Sequence, residues 1–123
     1  MPDLAEHLLQ ARHNEEFFGS IDRGLYSDWA IIALYYAALH YIDAFLATVR
    51  ILDPGGHAVR DPEIRQRPEL QPISHHYFRL KNRSQSARYY CARFRQGELE
   101  RCHRDDLGGI KAALLPLLSS SPP

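Results

Sequence analysis

The 123-residue sequence predicts an all-α fold, an antiparallel four-helix bundle, on three observations. Apolar residues recur at three- and four-residue steps along most of the chain, and no run shows the sustained polar-apolar alternation of a half-buried strand. Glycine, proline and serine interrupt these runs at only a few places, so the joints are short and neighbouring helices run antiparallel. The length supports one core and leaves no room for a second domain. Residues 1–118 are therefore read as one helical domain and 119–123 as a frayed tail.

The first helix is expected from Asp3, with Glu6 at the capping-box position, through Leu4, Leu8 and Ala11 towards Phe18, where Gly19-Ser20 ends it. The second begins near Ser27, whose hydroxyl can cap free amides, and reaches about Leu52 before Asp53-Pro54-Gly55-Gly56. Its apolar stripe is Leu34, Ala38, Ile42, Phe45, Val49 and Leu52, widened by Ile31, Tyr35 and Leu39, which makes it the central helix. Pro62, Pro68 and Pro72 forbid one continuous helix after the Gly-Gly turn and predict a short helical turn plus a Pro-rich loop between the second and third main helices. A third helix is expected from about Glu69 or Ile73 to Arg83, with Ile73, Tyr77, Leu80 and Ser84 on one face and His76, Arg79 and Arg83 on its neighbour. Arg88 to Phe94 reads as an extended or irregular connector. The last helix spans roughly Glu98 to Leu118, with Leu107, Ile110, Leu114 and Leu117 inward and Gly108-Gly109 as a weak point.

Composition narrows the function classes. Fifteen basic and fifteen acidic residues cancel, so the chain as a whole lacks the excess positive charge of a nucleic-acid coat protein. The distribution is uneven, with eleven Arg or Lys against five Asp or Glu between Arg60 and Arg104. That half can face an anion or be a solvated Arg-rich surface. Cys91 and Cys102 make neither a metal cluster nor a disulfide framework, which predicts a reducing, cytoplasmic setting. The N-terminal Pro-Asp-Leu-Ala-Glu-His has no basic region followed by an apolar core, so no signal peptide is expected. The longest apolar run, Trp29 to Leu39, stops at His40, short of the roughly 20 residues a bilayer requires. A soluble chain follows.

Candidate chemistry concentrates in three places. Tyr36, His40, Asp43, Ala47 and Arg50 form a polar stripe on the second helix, in which Asp43 one turn from His40 is either a catalytic pair or a satisfied interhelical network. His57 and Arg60 follow the Gly-Gly turn, where backbone can come close to a ligand and an Arg fork suits phosphate; the alternative is a loop His and a surface Arg paired with Asp61 or Glu63. Asn82 to Tyr90 mixes cations, hydroxyls and aromatic faces at a helix end, suited to a phosphate with a base stacked beside it, although Arg88 and Tyr89 can equally clamp the helix into the bundle. His75-His76 point to different faces, and neither HExxH nor CxxC occurs, so no metal and no cofactor are expected.

The order of these motifs resembles the HEPN superfamily of small helical-bundle proteins: the aromatic-rich segment Leu34 to Asp43, the His57-x-x-Arg60 turn, Tyr77-x-x-Leu80, and Ala87-Arg88-Tyr89. The resemblance covers about residues 20–118. It implies a helical dimer of a kind found in toxin, defence and RNA-processing systems, either a metal-independent ribonuclease, a nucleotide binder or an inert partner. The family's Arg-x(4 to 6)-His signature is degenerate here: from Arg83 the expected positions hold Arg88, Tyr89 and Tyr90, and from Arg88 they hold Arg93, Phe94 and Arg95. Arg50 to His57 meets the bare spacing across a helix end. The resulting expectation is a homodimer that binds nucleotide or RNA phosphate through Arg60, Arg83 and Arg88 with Tyr89 nearby. Two alternatives stand beside it. One is a divergent ribonuclease with His57, or His40 oriented by Asp43, as base and Arg60 or Arg83 stabilising the phosphorane. The other is a structural subunit docking on itself or on a protein partner.

Overall fold

The computed structural model describes residues 2–51 and 57–119, apart from the side chains of His57 and Ser119. The described residues are helical with no strand, and they form a helical bundle around one apolar core. Helix α1 spans Leu4–Ser20, α2 Ser27–Thr48, α3 His57–Gln66, α4 Ser74–Tyr89, α5 Gln96–Arg101 and α6 Gly108–Ser119. A 3-10 turn at Gln71–Ile73 leads into α4, and a π-helical segment at Cys102–Leu107 joins α5 to α6 without a break.

Helix α1 starts as expected. Asp3 accepts the Glu6 amide at 2.9 Å and Glu6 accepts the Asp3 amide at 3.1 Å, satisfying two orphan donors at once. Ala11 and Phe18 face the core, and so does His7. Helix α2 is central, with Ile31, Leu34, Tyr35, Ala38, Leu39, Ile42 and Phe45 all buried. Its N-cap is Tyr26 and not Ser27, because the Ser27 hydroxyl is buried and accepts the Phe94 amide at 3.1 Å. It stops at Thr48, and Arg50 takes a left-handed φ of 68°. Leu52 lies outside the described residues. Since α2 runs past His40, it is long and apolar enough to cross a membrane, yet 78% of its apolar window is buried inside the bundle. A core helix explains that composition.

Three other expectations are corrected. The stretch after Gly55-Gly56 is a ten-residue helix with Pro62 inside it, because Arg60, Asp61 and Ile64 are all buried against the bundle and outweigh the backbone bond that proline removes. Helix α4 continues six residues past Arg83, since Ser84 and Ala87 extend the buried spacing of Tyr77 and Leu80, and the irregular connector shrinks to Tyr90–Arg95. At the C-terminal end Leu118 is buried while Leu117 is 37% exposed. Cys102 and Leu107 both face inward although they are five residues apart, a spacing that an α-helix would rotate out of line and that one π turn restores.

Charged groups tie the helices where apolar surface runs out. Glu15 of α1 accepts both the Tyr41 hydroxyl of α2 and, at 2.9 Å, the Lys111 ammonium of α6. Asp61 of α3 accepts Lys81 of α4. The two C-terminal glycines differ in what they allow. A Cβ on Gly109 would lie 2.8 Å from His76 Nε2, whereas one on Gly108 would meet nothing closer than a carbonyl at 3.6 Å. Gly108→Ala should therefore stabilise the fold by up to about 1 kcal/mol through helix propensity. Gly109→Ala should destabilise it by about 1–3 kcal/mol, because His76 must leave its place. Urea unfolding of the two variants checks the opposite signs.

Candidate functional site

Arg79 and Arg83 stand four residues apart on α4 and so share a face, which looks towards the start of the last helical rod. There Arg95, Glu98, Arg101 and Cys102 from the α5 turn, with Asp105 and Asp106 from the π segment, close an open cavity of about 520 Å³. Four guanidinium groups thus meet three carboxylates, and the carboxylates are already engaged. Asp106 is buried and accepts His76 Nδ1 and Arg79 Nη1, both at 2.8 Å. Asp105 accepts a two-pronged contact from exposed Arg104 at 2.8 and 3.2 Å, which holds its carboxyl below the usual range. Glu98 accepts the Arg95 backbone amide at 3.2 Å. Among the described residues, Arg83, Arg95 and Arg101 are left without an ion-pair partner at this cavity. Three free planar forks in a recess of this size suit a phosphate or a run of phosphates.

The residues singled out from the sequence do not converge on one site. Arg83 lines the cavity. Arg88 leaves the opposite side of α4, where its Nη1 donates to the Tyr36 hydroxyl at 3.3 Å and its guanidinium lies 5.2 Å from the ring of Tyr89, itself 68% exposed. With Trp29, Ile32 and Tyr36 of α2 it borders an aromatic groove between α2 and α4. Arg60 is neither at a surface nor beside Arg83: Nε and Nη2 donate to the two Asp43 oxygens at 2.8 and 2.9 Å, and both residues are buried. Asp43 accordingly does not orient His40. The His40 Nδ1 lies instead 3.1 Å from Nδ1 of His7 on α1. Burial lowers the His40 pKa, His7 and Arg60 lower it further, and Asp43 partly opposes them. His57 opens α3, and its side chain lies outside the described residues.

Buried around the Asp43-Arg60 pair is a small polar interior. The Tyr35 and Tyr77 hydroxyls lie 3.3 Å apart, and burial pushes both phenol pKa values up. Sequence reasoning missed Arg95 and Arg101 as site residues, although the basic half between Arg60 and Arg104 contains them and the shared face of His76, Arg79 and Arg83 is readable from spacing. Nothing in the sequence marks His7, a histidine on an otherwise apolar helix face.

Fold and site together define the class only as an all-helical bundle with an arginine-lined recess. The chain matches no known family model, no curated protein and no solved structure.

Two outcomes follow from this geometry. Asp43→Ala should destabilise the protein by about 3–5 kcal/mol by leaving Arg60 an uncompensated buried cation, while Asp43→Leu combined with Arg60→Met should recover most of that loss. Urea unfolding decides it, and equal losses in the two variants would contradict it. The Cys102 thiol, buried in the cavity wall, is pushed up to about 11 by desolvation despite nearby Arg83. Folding favours its neutral form, so its contribution to stability is fully present below about pH 9 and is lost as pH rises towards 11. Alkylation at pH 8 followed by mass spectrometry should label exposed Cys91 and spare Cys102 until the protein unfolds.

Proposed function

We propose that this chain is an HEPN-like helical domain that binds nucleotide or RNA phosphate in the arginine-lined recess, acting as a cytoplasmic homodimer in an RNA-related or toxin-antitoxin type of defence system. The observation that carries the reading is the convergence of Arg83, Arg95 and Arg101, free of ion pairs among the described residues, beside Arg79 in one cavity. Phosphate is the anion that such forks hold best, and repeated phosphates would occupy several at once. Exposed Tyr89 lies six residues beyond Arg83 on α4, about 9 Å along the helix axis and about 120° around it, so its ring is offered to a base of a strand that leaves the recess around the end of α4. Arg60 is left out of the contact set, because its fork is fully taken by Asp43. The dimer is supported by the exposed side chains of Leu25, Tyr26 and Trp29 at the start of α2, an apolar surface that a second copy would cover.

Binding without cleavage is the reading favoured over ribonuclease chemistry. The imidazole beside the arginines is His76, whose Nδ1 is held by Asp106 and whose Nε2 edge packs on Gly109, which leaves it poorly placed to take a proton from a 2′-hydroxyl. His40 belongs to a different wall, between α1 and α2.

Anisotropy of a labelled single-stranded RNA, titrated at several salt concentrations in excess chelator, tests the proposal. Arg83→Gln and Arg95→Gln should each weaken binding by roughly three- to tenfold and lower the salt slope by about 0.7, while Arg12→Gln on α1 should leave both unchanged. The RNA should remain intact throughout. Unaltered affinity in the Arg83→Gln/Arg95→Gln double variant would refute the site, and cleavage that survives the chelator would replace it with the ribonuclease reading.

A further inference from the structure

Away from the arginine recess, between the first turns of α1 and the middle of α2, two imidazoles face each other at the floor of a second open cavity of about 510 Å³. His7 is 5% exposed and His40 is half-buried, and their Nδ1 atoms stand 3.1 Å apart. Donor atoms of His7, His40 and the buried Asp43 all lie within 4.8 Å of one another. We propose that these three residues form a binding site for a late first-row divalent cation, with Zn²⁺ as the reference ion, that clamps α1 onto α2.

The argument is geometric and chemical. With Zn-N bonds of about 2.0–2.1 Å, two ligands of a tetrahedral ion lie about 3.3–3.4 Å apart, so the imidazole nitrogens already stand close to a ligand edge. As an internal hydrogen bond the pair is poorly used, since one ring must donate from Nδ1 and the other accept, and among the described residues no other hydrogen bond to either ring fixes that choice. Metal entry moves the donor ring's proton from Nδ1 to Nε2 through solvent and leaves both Nδ1 lone pairs on the ion. Asp43 adds a carboxylate whose position is set by Arg60, which occupies one lone pair on each oxygen and leaves others free. The fork also withdraws charge from that carboxylate, so two imidazoles dominate the site. Such a set favours Zn²⁺, Ni²⁺, Co²⁺ or Cu²⁺ over Mg²⁺ and Ca²⁺, which require oxygen ligands. Glu6 and His13 line the same cavity, so the remaining coordination position opens towards polar side chains and water.

Untagged protein stripped with a chelator and dialysed free of it is the starting material. Titration with Co²⁺ should give a visible ligand-field band that saturates at one equivalent and is displaced by Zn²⁺, and the thermal midpoint should rise with Zn²⁺ but not with Mg²⁺. His7→Gln and His40→Gln should each abolish the band, whereas His13→Gln and His75→Gln should retain it. In the unmodified protein, imidazole ¹⁵N spectra should place Zn²⁺ on the Nδ1 atoms of two histidines, a measurement that does not depend on any variant folding. Absence of a saturable one-equivalent site in the unmodified protein, or an undiminished band in the His7→Gln/His40→Gln double variant, would overturn the proposal.

Discussion

The buried ion pair between Asp43 and Arg60 is the contact around which the rest of the molecule is arranged. Helix α2 is apolar on nearly every side, and Asp43 is the one carboxylate it carries into the core. Helix α3 offers little apolar surface in return: Ile64 is buried, while Val59 and Pro62 face solvent. Its attachment therefore rests on Arg60 reaching Asp43 and on Asp61 meeting Lys81. A pair of this kind contributes little compared with a hydrophobic substitute, but once either charge is present the other becomes obligatory. That obligation fixes where α3 lies, and through Lys81 it also fixes how α3 meets α4.

The same constraint sorts the cations of the basic half into two populations. Arg60 and Lys81 are consumed by the interior, and Arg79 is drawn to buried Asp106. What remains at the recess is Arg83, Arg95 and Arg101, held by elements whose inner faces are closed by Tyr77, Leu80, Ser84, Leu99 and Cys102. An apolar inner face and a cationic outer one on the same short helices make the recess a by-product of packing that needs no dedicated loop.

Much of the architecture is legible in the sequence because it follows from local rules. The Asp3/Glu6 capping box, the central stripe of α2 and the inward spacing of Ile73, Tyr77, Leu80 and Ser84 are each set by residues within one or two turns of each other. The readings that fail are those in which a distant partner decides. Ser27 has the chemistry of a cap but is claimed by the Phe94 amide 67 residues away. Pro62 reads as a breaker until Arg60 and Asp61 find partners on α2 and α4. Spacing places Arg79 and Arg83 on one face, yet only the course of the chain after Tyr90 brings Arg95 and Arg101 to meet them. His40 and Asp43 sit on one stripe, as read, but each is taken by a residue from another helix, His7 and Arg60.

The π segment gives the last helical rod a property that a regular helix would lack. One surplus residue is absorbed between Cys102 and Leu107 while both remain in the core. Lineages that lost that residue would lapse into an ordinary α-helix with the same inward rhythm, and the change would fall on the outward side chains. His103, Arg104 and Asp105 are exposed there, and Asp105 borders the arginine recess. Length variation at this point would let evolution rotate the rim of the recess without redesigning the interior beneath it.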